Sequence, residues 1–470
     1  MLVAFANRPV KSPNLELADL IGPLSYALDL TEGQPKDHCI RCCYIGMALG
    51  RALGLPEAEL ADLFYTLLLK DLGCSSNAAR ICELFLADDI DFKQGFKTID
   101  PGFNAALSFV FKRTGLKAGL SERIRALVKI CREGERTTQD MISTRCHRGA
   151  DIAAKLRFSS AVQEGIRSLD EHWNGKGQPF GLTGNDIPRA SSIALLAQVV
   201  DVFHSEGGPG GVATELHKRR GSWFDPQLVD AFDALNASEG FWEMLASPDM
   251  PDWLLDTAPS IAGLPVDEEY LDDVAQAFSD VVDAKSPFTA DHSNRVTLYA
   301  DMISEELGLA DNHRRWIRRA ALLHDIGKLA VSNQVLDKPG KLDENEWKAV
   351  RLHPLISENI LKRVPAFADM AQVAGAHHER LDGKGYPHGL AGDDIPLEAR
   401  ILTVADVFDA LSAERPYRAA MPIEKALAIL DEDTGTAFDG ECVTALKRGL
   451  ERLSQVIEQP KIASNQTIAA

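Results

Sequence analysis

Long apolar runs are missing from this chain of 470 residues. No stretch approaches the ~20 consecutive apolar residues of a membrane helix. The start, Met1-Leu-Val-Ala-Phe-Ala-Asn-Arg-Pro9, is too short for a signal-peptide core and has no basic leader. A soluble cytoplasmic protein, with no membrane partner, is expected. Positive charge is also scarce: 50 Lys and Arg face 69 Asp and Glu, for a net charge of −19. That balance excludes a broad surface for polymeric nucleic acid, which needs cations against phosphates. A small anionic ligand then needs a local basic pocket. Glycine and proline are not enriched enough for a disordered chain. Strand-type alternation is scarce throughout, so the fold class is all-α. The eight cysteines include only Cys442 in the second half, and Cys39-x-x-Cys42 has no second pair at zinc-finger spacing. Buried thiols are the reading for a cytoplasmic protein.

Helical spacing places helices at Asp37–Leu53, Glu57–Leu72, Ser121–Glu133, Thr138–Leu156 and Ile193–Phe203 in the first half. In the second half it places them at Asp267–Asp283, Asp291–Leu307, Arg314–His324, Ala366–His378 and Leu397–Leu411. Asp343-Glu-Asn-Glu346 reads as a capping box opening one more. Residues 205–265, with Gly207-Gly-Pro-Gly-Gly211 and Trp223, Trp242 and Trp253, read as a partly packed connector.

The two halves repeat one another. Asp37-His38 matches Asp291-His292, and Lys70-Asp-Leu-Gly73 matches His324-Asp-Ile-Gly327, both 254 positions on (291 − 37). Gly175-Lys-Gly-Gln-Pro179 matches Gly383-Lys-Gly-Tyr-Pro387, 208 positions on (383 − 175). The difference places an insertion of 46 residues (254 − 208) in the first copy, between about Cys74 and Arg145. The predicted layout is a degenerate domain over 1–205, a connector over 206–265, an intact domain over 266–455 and a tail over 456–470.

Chemistry-bearing residues concentrate in the second copy. His324 and Asp325 follow two leucines, and His292, His353, His377, His378 and Asp406 lie before and after them. Imidazoles and carboxylates in that number suit a divalent metal cluster, and facing helices of a bundle are where such clusters are built. Two cations about 3.5–4 Å apart can clamp both the attacked and the leaving oxygen of a phosphodiester, with Asp325 as the bridge. Lys328 is placed to neutralise a phosphate oxygen or leaving group. Tyr386 is an aromatic in reach of a base, and Arg415-Pro-Tyr-Arg418 supplies local positive charge. In the first copy His324 becomes Lys70, Lys328 becomes Cys74, His353 becomes Arg145, and His377-His378 becomes Leu169-Asp170. Asp406 becomes Gln198 without a gap, or Asp201 with a small one. A lysine for an imidazole puts a cation where a metal would sit, so the first copy is expected to be metal-free.

His324-Asp325 with Gly327-Lys328, His377-His378-Glu379, Gly385-Tyr386-Pro387 and Arg415-Pro-Tyr-Arg418 together resemble the signature set of the HD-GYP family, within the HD-domain metal-dependent phosphohydrolases. The resemblance is full over about Asp267 to Leu450 and degenerate over 15–205. It implies a bacterial cyclic-dinucleotide phosphodiesterase, with ligand roles for His292, His324, Asp325, His353, His377, His378 and Asp406. It also implies a catalytic role for Lys328 and substrate contacts from Asp409, Arg415 and Arg418. Members with a third metal carry a glutamate one turn before the first histidine; Phe288 stands there, so two divalent ions are expected, iron or manganese. Cyclic di-GMP is the expected substrate. The layout is similar to tandem enzymes that cleave 3′,3′-cyclic GMP-AMP, which is the alternative, alongside a non-catalytic adaptor that binds diguanylate cyclase (GGDEF) domains. The degenerate half is left to regulate or to form a homodimer.

Overall fold

The computed structural model describes residues 16–99, 103–116, 118–259, 261, 264–414 and 418–465. Among these residues the chain is helical, with isolated bridges in place of strands. It divides into two compact units. One comprises residues 1–285 with 332–334 and 363–368, and the other comprises 286–331, 335–362 and 369–470.

The first unit is built on the helix His38–Ala52, packed against Glu57–Leu69 and Arg189–Arg219. Its apolar face buries Ile45, Leu49, Leu63, Leu67, Leu196 and Val200 almost completely. Each such side chain contributes about 1.5–3 kcal/mol relative to exposure. The inserted residues form Ala78–Phe85, Asp89–Phe96, Phe103–Arg113 and the first half of one long helix, Leu120–Lys155. They carry their own apolar cluster of Ile81, Leu84, Phe85, Phe92, Val110 and Met141, with Phe85 stacked on Phe92 at 4.2 Å. The pattern reads as two helices because its apolar face is interrupted between 133 and 138; the backbone continues, since no proline intervenes to break it.

Residues 206–265 are not a connector. The helix at 193–203 continues past the glycine run to Arg219, bent where Gly208 takes φ 66° and ψ −171°. Beyond it Tyr44 stacks on Phe241 at 5.4 Å and meets Trp253 edge-on at 6.2 Å. These tryptophan-bearing helices close the first unit. The helix Glu268–Asp283 also belongs there: Tyr270 donates to the Leu156 carbonyl at 3.2 Å, and Asp273 and Asp280 pair with Arg157 and Lys155. The boundary therefore falls at 285/286, twenty residues beyond the expected 265/266, because the buried face of that helix is complementary to the first unit.

The second unit packs His292–Glu306 against Asp311–Leu323, Leu397–Ser412 and Gly440–Asn465. The expected tail is mostly the end of this last helix. His353–Leu361 lies on the short turn Ile326–Ala330 and on Ala371–Ala376. Asp343 opens Glu344–Arg351 with the expected capping box: it accepts from the Asn345 and Glu346 amides, and Glu346 accepts from Asp343 N–H.

The repeat holds at the level of backbone. Asp37 and Asp291 both precede the first histidine in left-handed conformation, at φ 67° and 56°. Asp is among the few side chains that tolerate that region. Gly54 and Gly308 end the two helices with φ 69° and 76°, and Leu55 and Leu309 bond back to the Gly50 and Ser304 carbonyls.

Candidate metal centre

The helix Asp311–Leu323 stops one residue before His324, and Asp325 begins a tight 3-10 turn. On a continuing α-helix, neighbours diverge by about 100°; the break lets both His324 and Asp325 face inward. Gly327 makes the next step possible. A Cβ there would lie 2.1 Å from the His353 carbonyl oxygen, and its N–H donates to Ser357 Oγ at 2.9 Å. This close approach seats the start of His353–Leu361 on the turn and carries His353 to Asp325.

Four imidazoles are held from behind. His292 Nδ1–H donates to Asp409 at 2.7 Å, His324 Nδ1–H to the Ala321 carbonyl at 2.6 Å, His353 to Val350 at 2.7 Å and His377 to Ala374 at 2.6 Å. With Nδ1 as donor, each Nε2 presents a lone pair forward, the orientation that ligating histidines show. The Nε2 atoms converge on Asp325. Those of His292 and His324 lie 3.4 and 3.1 Å from Oδ2, and those of His353 and His377 lie 3.2 and 3.8 Å from Oδ1. Asp406 Oδ1 lies 3.3 Å from His292 Nε2. Ligand atoms gather in one group from His292, His324 and Asp406 and another from His353, His377 and His378, with Asp325 between them.

Whether a cation fits is decided by what these atoms lack. His292 Nε2, His324 Nε2 and Asp325 Oδ1 are buried with no hydrogen-bond partner. Buried polar atoms are rarely left so, and a divalent ion satisfies all three. Electrostatics agree. Burial opposes charge on His292, yet Asp325, Asp406 and Asp409 outweigh it and lift its pKa to about 10. Burial and then the adjacent imidazoles hold His377 well below its usual value, and burial with His353 brings His378 to about 3. Burial would raise Asp325 and Asp406, but neighbouring imidazoles, and Lys328 for Asp325, hold both well below the carboxylate range. His377 and His378 are thus held neutral and Asp325 and Asp406 anionic, while the three carboxylates around His292 favour a positive charge at its Nε2 edge, the place a cation would take.

Lys328 bonds Asp325 through Nζ and stays partly exposed. It sits on the 3-10 turn Ile326–Ala330. Tyr386 is half-buried, with its ring centroid 4.9 Å from that of His378. Asp409 is not at the mouth. It is fully buried, one oxygen taken by His292 and the other by Arg295 Nε at 2.6 Å. Both of its oxygens are thus engaged in orienting His292 and not turned toward solvent. Arg418 donates to the Leu411, Ala410 and Ala419 carbonyls, closing the end of the Leu397–Ser412 helix instead of reaching outward. Arg415 lies outside the described residues.

Two contributors were given no role from the sequence. Arg295 braces Asp409, and Arg41 repeats the arrangement in the first copy: His38 Nδ1 and Arg41 Nε both lie 2.6 Å from Asp201. Asp201 is therefore the counterpart of Asp409, and Asp406 corresponds to Gln198. Glu379 is buried and accepts from the amides of His388, Gly389 and Leu390, shaping the loop beside His378; Glu171 does the same for Phe180 and Leu182. Both pairs could have been found by scanning the two offsets for retained charges.

In the first copy ion pairs stand where ligands would. Lys70 Nζ lies 3.1 Å from His38 Nε2 and bonds Asp71, and Arg145 bonds Asp170. Burial and Lys70 lower His38 to about 4, while Asp71 and the nearby thiols, outweighing burial, hold Lys70 above its usual value. Burial pushes the Cys39 and Cys42 thiols up.

Comparisons with known proteins fit this geometry. The family model described as "HD domain" matches residues 118–228 and 276–442. The chain is 52% identical over 451 residues to the 3′3′-cGAMP-specific phosphodiesterase 3 of Vibrio cholerae, covering 96% of this chain and 98% of that one. It is 47% identical over 172 residues to the cyclic di-GMP phosphodiesterase response regulator RpfG of Xanthomonas campestris, covering 36% and 46%. A crystal structure of a cyclic GMP-AMP-specific phosphodiesterase of V. cholerae (V-cGAP3) aligns with TM-score 0.64 at 49% identity, over 93% of this chain and 97% of that chain.

Proposed function

Because this chain belongs to the HD-domain metal-dependent phosphohydrolases, as an HD-GYP member with a degenerate first copy, we propose 3′3′-cGAMP as its substrate. It is a cyclic-dinucleotide phosphodiesterase. The expectation of cyclic di-GMP gives way for one reason: likeness to a cGAMP-specific enzyme extends over nearly the whole chain, degenerate copy included, whereas the match to RpfG covers 36% of it.

We propose that the two ligand groups, with Asp325 between them, would hold two cations. Imidazole and carboxylate donors without thiolate suit iron or manganese. Such a pair supplies Lewis acidity toward phosphate oxygens and a nucleophile at neutral pH. The protein's own part is positional. Asp409, backed by Arg295, keeps His292 in the Nδ1–H tautomer. Gly327 and Ser357 hold the turn that aims Asp325 and Lys328. Lys328, partly exposed at the edge of the ligand cluster, brings its ammonium to a phosphate oxygen or to the leaving oxygen. Asp325, bonded to that ammonium, would at the same time serve the cations.

Turnover of 3′3′-cGAMP and cyclic di-GMP by the purified, metal-analysed protein tests the reading. Faster hydrolysis of 3′3′-cGAMP supports it, and hydrolysis of neither by a fully metallated sample ends it.

A further inference from the structure

The helix Glu344–Arg351 carries two side chains that the phosphodiester chemistry does not use. Trp347 and Arg351 stand one turn apart on the same face. Trp347 is 46% exposed, so a face of its indole is open to solvent. The Arg351 guanidinium lies 5.7 Å from the Trp347 ring centroid and 5.5 Å from that of Tyr386. Tyr386 in turn lies against His378. A ladder of rings and one cation thus runs from the ligand cluster out to an exposed indole, all within the second unit. The capping box at Asp343 holds its outer rungs on a well-defined helix. Arg351 donates to no described residue, so its planar fork has free edges.

The first copy provides the control. At the 208-residue offset Trp347, Arg351, His378 and Tyr386 become Gln139, Ser143, Asp170 and Gln178. Every rung is lost in the copy that also lost the ligands. The loop-shaping Glu379, by contrast, keeps its counterpart Glu171 in both sequence and hydrogen bonding. A Trp–Arg pair that merely stabilised its helix would have no reason to vanish together with Tyr386 and the ligands.

We propose that Trp347 and Arg351 form the platform for a guanine base of the cyclic dinucleotide. This rests on the phosphodiesterase reading above. The indole takes the base's face, as aromatic side chains do for unpaired bases. The guanidinium edge matches the O6 and N7 acceptors that distinguish guanine. The placement beside His378 lets one base anchor while its phosphate lies over the ligand cluster.

The test is titration calorimetry of the full-length holoprotein with bis-phosphorothioate analogues of 3′3′-cGAMP and of cyclic di-AMP. Trp347→Ala weakens the 3′3′-cGAMP analogue about tenfold or more, from the stacking lost, and Trp347→Phe restores most of it. Arg351→Lys keeps the charge but not the fork, so it weakens the 3′3′-cGAMP analogue more than the cyclic di-AMP analogue. Unchanged affinity in Trp347→Ala overturns the platform, and equal losses for both analogues in Arg351→Lys overturn the guanine assignment. Turnover separates this from the parent reading. Trp347-dependent binding without cleavage removes the enzyme and keeps the platform; cleavage with unaltered binding in Trp347→Ala does the reverse; no binding by the wild-type protein removes the platform.

Discussion

Replacing Gly327 by alanine adds one methyl group and moves a helix. The new Cβ would sit 2.1 Å from the His353 carbonyl oxygen, 2.7 Å from Ser357 N and 2.9 Å from Ser357 Oγ, where 3.0 Å is the practical floor. Backbone must therefore yield by at least 0.9 Å (3.0 − 2.1). The atoms in the way belong to the first turn of His353–Leu361, so the displacement passes directly to His353. Misplacement of that order costs about 100-fold in rate, and overpacking costs about 1–3 kcal/mol in stability. The first copy contains the matched control. A Cβ on Gly73 would lie 1.9 Å from the Arg145 carbonyl oxygen, an equal or worse clash. Gly73→Ala should lose similar stability while keeping turnover per folded molecule and cation content. The assay is kcat for 3′3′-cGAMP, metal content by mass spectrometry and a thermal melt, on both variants and the wild type. Wild-type kcat and metal content in Gly327→Ala would refute the reasoning, as would equal losses of activity from the two variants.

Other substitutions probe the remaining elements. Asp409→Asn removes the carboxylate that fixes the His292 tautomer and should weaken cation affinity about 10–100-fold, read by titration of chelated protein. Lys70→Met leaves Asp71 buried without its cation and should cost about 3–5 kcal/mol, with metal content unchanged; a fall in bound metal would show that the first copy holds an ion. Asp201 gives a pH signature. Burial raises its pKa, but His38 and Arg41 prevail and bring it to about 2 from 3.8. The folded value is the lower one, so its contribution, about 2 kcal/mol, is present above pH 3.8 and is lost as pH falls toward 2. Denaturant unfolding across that window should be flatter for Asp201→Asn, and an unchanged slope would count against the ion pair.

Legibility followed the nature of the signal. The clustering of His292, His324, Asp325, His353, His377, His378 and Asp406 was readable because few residue types suit a metal centre, and the degenerate copy showed which of them the scaffold can do without. The helix Glu344–Arg351 announced itself through its capping box, a purely local device. Asp409 was harder: the same carboxylate type serves as ligand, substrate contact or support, and only its distance from His292 and Arg295 assigns it. Residues 206–265 misled because a glycine-rich run usually interrupts a helix, whereas here it bends one that packing sustains on both sides.

By itself the sequence determined the all-α class, the repeat and which histidines and carboxylates one copy has and the other lacks, since each rests on periodicity or on residue identity at a constant offset. Tertiary structure alone decided where the units divide, because the helix Glu268–Asp283 could have packed either way and only complementarity with Leu156 and Arg157 chose. It alone decided that Gly327 is a contact surface and not a flexible link, and that Trp347 and Arg351 stand in line with Tyr386 and His378. Those facts depend on the approach of segments distant in sequence, which no local pattern encodes.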